Sequence, residues 1–111
     1  MLNRTEVRRP KVIGNTTPIT TAIASDAVAV DDFIRSEGYS VEILGITTGT
    51  VQVQSTIDGT NWTQEGSNVT ANGRVNITSA NLTAIRLNVT VATTVSITFV
   101  VAGKQAIVAG L

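Results

Sequence analysis

Oxygen-bearing side chains gather in one short stretch, Ser55-Thr56-Ile57-Asp58-Gly59-Thr60-Asn61-Trp62, with Glu65 close behind. Asp58, Asn61 and Glu65 are of the types that hold calcium, which takes carboxylate and amide oxygens. Their spacing is not that of an EF-hand loop, and Asp-Gly is an ordinary turn pair. No metal is expected there. Trp62 carries a ring that could stack on a sugar. A single tryptophan without a second aromatic beside it is more often a core or rim residue. Asp31-Asp32 is a carboxylate pair, but adjacent residues on a strand point to opposite faces, which makes a poor acid–base dyad. The chain has no Cys and no His. That removes disulfides, thiolate nucleophiles, the commonest general base and the usual zinc and iron sites. With no Gly-rich phosphate cradle either, neither an enzyme nor a cofactor is expected.

Charge is segregated. The net charge is zero over 111 residues, yet residues 1–11 hold Arg4, Arg8, Arg9 and Lys11 against Glu6 alone. The rest is mildly acidic. A cluster such as Arg8-Arg9-Pro10-Lys11 might touch nucleic acid, but on a neutral chain it is weak support for that. An acidic protein neighbour suits it at least as well. Arg4, Arg8, Arg9 and Lys11 are therefore the candidate partner-binding residues, and no nucleic-acid partner is expected. The opening residues carry no apolar run of the signal-peptide kind, and no stretch reaches membrane-spanning length. The expectation is a soluble chain with no membrane partner.

Seven of the eight asparagines stand in Asn-x-Thr sequons: Asn3, Asn15, Asn61, Asn68, Asn76, Asn81 and Asn88. Strand periodicity explains them better than glycosylation does. It places Asn and Thr two apart on one polar face, as in Asn76/Thr78 and Asn88/Thr90.

The elements that must position these residues read as short strands. Tyr39, Val41 and Ile43 alternate with polar partners, and Thr47-Thr48-Gly49-Thr50 reads as a turn. Val51 to Ile57 is the next strand. Asp58-Gly59 marks a tight hairpin, with Trp62 starting the return and packing on the sheet. Asn72-Gly73 is a second hairpin-type dipeptide. Ile85, Leu87, Val89 and Val91 alternate with Arg86, Asn88 and Thr90, the cleanest period-2 run of the chain. Ala92-Thr93-Thr94 should reverse it into Val95–Val101. Ile85, Leu87, Val89, Val91, Ile97 and Phe99 are the predicted core. Turns about every ten residues argue an all-β, antiparallel β-sandwich or small barrel. The expected organisation is an extended basic arm over 1–22, a sandwich over 23–104 and an apolar tail over 105–111.

The run from Val51 to Trp62, VQVQSTIDGTNW, resembles a pattern of small virion proteins of tailed bacteriophages. In them a strand leads into Ser-x-x-Asp-Gly-x-x-Trp, then a Gly-containing turn and a strand bearing an Arg. The later parts are similar to Asn72-Gly73 and Ile85-Arg86-Leu87-Asn88-Val89. The resemblance spans about Tyr39 to Val101. It implies a structural role, foremost a capsid decoration (cement) protein that binds the outer shell and stabilises it. Implied partners are the major capsid protein and further copies of the chain, as a dimer or trimer. The implied location is the capsid surface, after synthesis in the host cytoplasm. A neck, tail or head-fibre component is the first alternative. A carbohydrate-binding module acting through Trp62 is the second.

Overall fold

Two long strands dominate the molecule because alternating Val, Ile, Leu and Phe let them bury one face on both sides of their centre. The computed structural model describes residues 12–14, 17–30, 36–79 and 82–105. Within them lie β1 (Val12–Gly14), β2 (Val28–Ala29), β3 (Ser36–Thr56), β4 (Thr63–Val69), β5 (Gly73–Ile77) and β6 (Ala84–Gln105), with no helix among the described residues. All six join one antiparallel sheet. The all-β, antiparallel fold class expected from the sequence is the one adopted.

β3 and β6 pair from Ser36↔Gln105 to Thr56↔Ala84. β5 and β4 lie end to end along the other side of β3, opposite Tyr39–Ile43 and Val51–Ser55. On the far side of β6, the described residues between Val12 and Val30 follow that strand as an interrupted edge. β1 pairs Val100–Ala102, Ile19 and Ile97 exchange both backbone hydrogen bonds at 2.9 Å, and β2 pairs Ala84–Ile85. Pro18 suits an edge position, where its missing N–H costs no ladder bond. The described part of this segment is laid along the sheet, and Ile19 is buried there.

The reversals expected at Thr47–Thr50 and Ala92–Thr94 do not occur. The two stretches face each other across the β3–β6 ladder, with Thr48 opposite Thr94 and Gly49 opposite Ala92. Each strand accommodates extra residues there as bulges, and a bulge bends and twists a strand without ending it. Threonine's β-branch favours extended backbone, so the turn-like composition yields a paired irregularity. The register shift also corrects one predicted core position. Thr50 pairs Val91 while Val51 pairs Val89, so Thr90 is skipped and Val91 lies 47% exposed. Ile85, Leu87, Val89, Ile97 and Phe99 are buried as expected.

On both sides of this centre the odd-numbered residues point inward. Val41, Ile43, Phe99 and Val101 on one half meet Val51, Val53, Ile85 and Leu87 on the other in one cluster. A single sheet coiled by its bulges thus supplies both walls of a small sandwich. Asn72-Gly73 makes no hairpin either. β4 and β5 both pair with β3, so the chain passes from one to the other without reversing. The Asn72 side chain instead serves the centre, its Oδ1 accepting from the Ile46 N–H at 2.8 Å.

Candidate functional site

The loop between β3 and β4 carries the residues singled out above, and Asp58 organises it. Its Oδ1 accepts from the backbone N–H groups of Thr60 and Asn61, each at 2.8 Å, and its Oδ2 accepts from the Asn61 side-chain amide at 2.6 Å. The buried Thr56 hydroxyl donates to Asp58 and accepts from the Gly59 N–H at 2.9 Å. This is an Asx-turn closed from both sides. The reversal spans Ile57 to Trp62, longer than a two-residue turn, because Ser55↔Thr63 is its last ladder pair. Ile57, the predicted strand end, sits on the loop with 70% exposure.

Gly59 holds φ at +83°, and a Cβ built on it would meet nothing within 4 Å. Backbone strain alone therefore sets the cost of a side chain there. Gly59→Val is expected to lose about 1 kcal/mol or more, and Gly59→Asn much less, because Asn tolerates left-handed backbone. Urea midpoints of the two variants check this, and equal midpoints would refute it.

The Asn61 and Thr60 backbone N–H groups, with the Asn61 side-chain amide, hold the Asp58 carboxyl far below its ordinary value of 3.8. A carboxyl lowered by folding contributes stability that is complete above the unfolded pKa and fades as pH falls through the folded one. The contribution should therefore be present above about pH 4 and decline below it. Asp58→Asn keeps one acceptor oxygen but cannot titrate. Its melting temperature should lie below that of the natural chain at neutral pH, with the gap narrowing on acidification. A constant gap from neutral to strongly acidic pH would contradict this.

Trp62 and Glu65 lie on opposite sides of the sheet. The Arg86 guanidinium sits 4.1 Å from the Trp62 ring centroid, and its Nε donates to Gln54 Oε1 at 2.8 Å. Arg86 and Gln54 are register partners on the outward, even-numbered face. Trp62 therefore leans on the outside of the sheet, half-buried, with one ring face occupied by a cation. Glu65 pairs with Val53 on the inward face, and its Oε2 accepts from the buried Ser55 hydroxyl at 2.6 Å. A cavity of about 410 Å³ opens there, lined in part by Ser55, Asp58, Asn61, Glu65, Ser79 and Leu82. Asp58 and Asn61 are spent on the loop itself. Among the described residues no group of three or more His, Cys, Asp or Glu is placed to hold a metal ion.

The outward face is satisfied by in-register pairs. Ser40 donates to Asn76, Arg74 to Glu42 at 2.9 Å, and Asn88 to Gln52. Both partners of the Arg74–Glu42 pair are solvated, so it adds little stability. Among the described residues, the exposed large apolar ones are Ile23, Leu44, Ile57, Val91 and Val100. Arg4, Arg8, Arg9 and Lys11, the candidate partner-binding residues, lie outside the described residues, as do Asp31 and Asp32. Sequence reasoning missed the Arg86–Trp62 stack and the Asn72–Ile46 bond. Arg86 at an even position of a period-2 run was the available signal for the first. Nothing local announces the second.

With this geometry in place, the comparisons with known proteins are informative about fold. No family model matches the chain, and no curated protein does. Among solved structures it is similar to the SPBc2 prophage-derived protein YomS, with a TM-score of 0.63 at 15% identity. That match covers 89% of this chain and 98% of the other. A weaker likeness, with a TM-score of 0.46 at 15% identity, is to Bacillus endospore appendages described as disulfide-linked pili. It covers 96% of this chain and 99% of that one. The first likeness establishes a shared fold.

Proposed function

We propose that the chain is a non-enzymatic structural protein of a phage virion, placed as a decoration protein on the outside of the capsid shell. The observation that carries this reading is the fold held in common with a prophage-derived protein over nearly that protein's full length. The surface agrees with it. The outward face is polar, weakly charged and paired within itself, which suits a rigid spacer better than a catalytic cleft. No helix among the described residues is long and apolar enough to cross a membrane.

Reinforcement in this reading comes from many weak bridges. Each copy spans neighbouring capsid subunits, and the avidity of repeated attachment adds a separation cost to the lattice. Open sheet edges along β4 and along the β1–β2 side offer backbone groups to another copy, consistent with a dimer or trimer. The basic residues Arg4, Arg8, Arg9 and Lys11 supply attachment to an acidic neighbour. Such attachment weakens with salt, since exposed charges are screened over about 10 Å at 0.1 M. A neck, tail or head-fibre position is the competing virion role. A glycan site at Trp62 is disfavoured, because Arg86 already covers one face of the ring.

Copy counting by mass spectrometry on tail-free heads tests the position. Many copies per head are expected, and presence only in tails would overturn decoration. A chain beginning at Val12 keeps every described strand of the sheet and drops the four basic residues. It should bind empty capsids more weakly and with less salt dependence. Undiminished binding would move the attachment onto the sheet.

A further inference from the structure

Asn72 is the only asparagine of the chain followed by glycine. It is exposed, on the short bend between β4 and β5, and its side chain is already engaged by the fold. The Ile46 N–H, on a buried residue of the central bulge, donates to Asn72 Oδ1 at 2.8 Å. We propose that Asn72 is a site of spontaneous deamidation in the folded protein, assisted by this hydrogen bond.

The chemistry needs only water. The Gly73 backbone nitrogen gives its proton to water and attacks Cγ of Asn72. Negative charge builds on Oδ1, where the Ile46 N–H is already aimed, as a donor is in an oxyanion hole. The bond from Cγ to the side-chain nitrogen then breaks, that nitrogen takes up a proton, and ammonia leaves. A succinimide ring now joins Asn72 and Gly73. Water opens it at one of its two carbonyls, giving aspartate or isoaspartate. The net change is addition of one water and loss of one ammonia, with nothing oxidised or reduced. Glycine at 73 matters because a side chain there hinders approach of the nitrogen.

The two products have different consequences. Aspartate keeps an oxygen for the Ile46 N–H and makes that bond charge-assisted. Isoaspartate lengthens the main chain by a methylene just before β5, where Gly73 pairs with Ile43. It should loosen β5 from β3 and lower the melting temperature.

The test follows the full chain in neutral buffer by intact mass and peptide mapping, with enzymatic isoaspartyl methylation as a second readout. A parallel sample is kept unfolded in urea, where Ile46 and Asn72 are no longer held together. Gly73→Ala is the matched variant. A Cβ there would approach only the Ala71 carbonyl, at 4.0 Å, so the sheet accepts it. The folded chain is expected to convert at Asn72 at least as fast as the unfolded one, and the variant should lose most of the conversion. A folded chain that stays unmodified while the unfolded one converts would overturn the proposal, as would conversion mapped to another asparagine. Should the variant fail to fold, the folded-against-unfolded comparison of the natural chain still decides.

Discussion

Gly45→Ala is expected to destabilise the protein by about 3 kcal/mol or more, a large share of the roughly 5–15 kcal/mol that holds a domain together. Two effects coincide. The residue sits at φ +90°, where an L side chain is strained, and its Cβ would lie 1.8 Å from the Ser96 carbonyl oxygen of the facing strand. That oxygen belongs to main chain and cannot swing aside like the end of a side chain. The strand behind it is pinned in turn, because Ile97 exchanges two hydrogen bonds with Ile19. Ile46 is likewise tethered to Asn72. Relief therefore requires the paired bulge to reorganise. A melting temperature lower by more than about 10 °C is the expected reading for a chain of this size. An unchanged urea midpoint would mean that the centre of the sheet can take another register.

Leu87→Ala should cost roughly 2–5 kcal/mol, the range for emptying a leucine site in a packed core. Leu87 is fully buried, opposite Val53, and its backbone N–H is held by the Ser25 hydroxyl. Its neighbour Asn88 offers an internal control. That side chain lies on the outward face beside Gln52, so Asn88→Ala should stay within about 0.5 kcal/mol of the natural chain. Chemical denaturation of the pair measures the contrast between the two faces of one strand. Equal losses would require the outward face to be covered as well.

Period-2 alternation made the buried faces legible. It placed Ile85, Leu87, Val89, Ile97 and Phe99 inside because odd-numbered residues face inward on both sides of the centre. What the pattern could not convey is whether an interruption between two alternating runs turns the chain or merely dislocates it. Thr47–Thr50 and Ala92–Thr94 have turn composition, yet they pair with each other. The reason is non-local, since each irregularity is accommodated by the one opposite. Val91 was misplaced for the same cause. The route of the described residues between Val12 and Val30 along β6 was equally hidden, because an edge with few ladder bonds and Pro18 in it shows no period. At the loop, Asp58-Gly59 announced a reversal through its chemistry. The stacking of Arg86 on Trp62 depended on a register that only the completed sheet defines.

β6 lies between the chain's first strands and β3, although it follows both in sequence. Every strand it pairs with is synthesised before it. Until it arrives, Ile19 and the inward residues of β3 lack their partners. Assembly must bring together segments separated by most of the chain, which makes folding slow and leaves unpaired edges open to association meanwhile. A chain interrupted before β6 keeps the hairpin of β3 and β4 but has no sheet interior. The lifetime of that half-built species, more than the stability of the finished sheet, should set how much protein a cell recovers in native form.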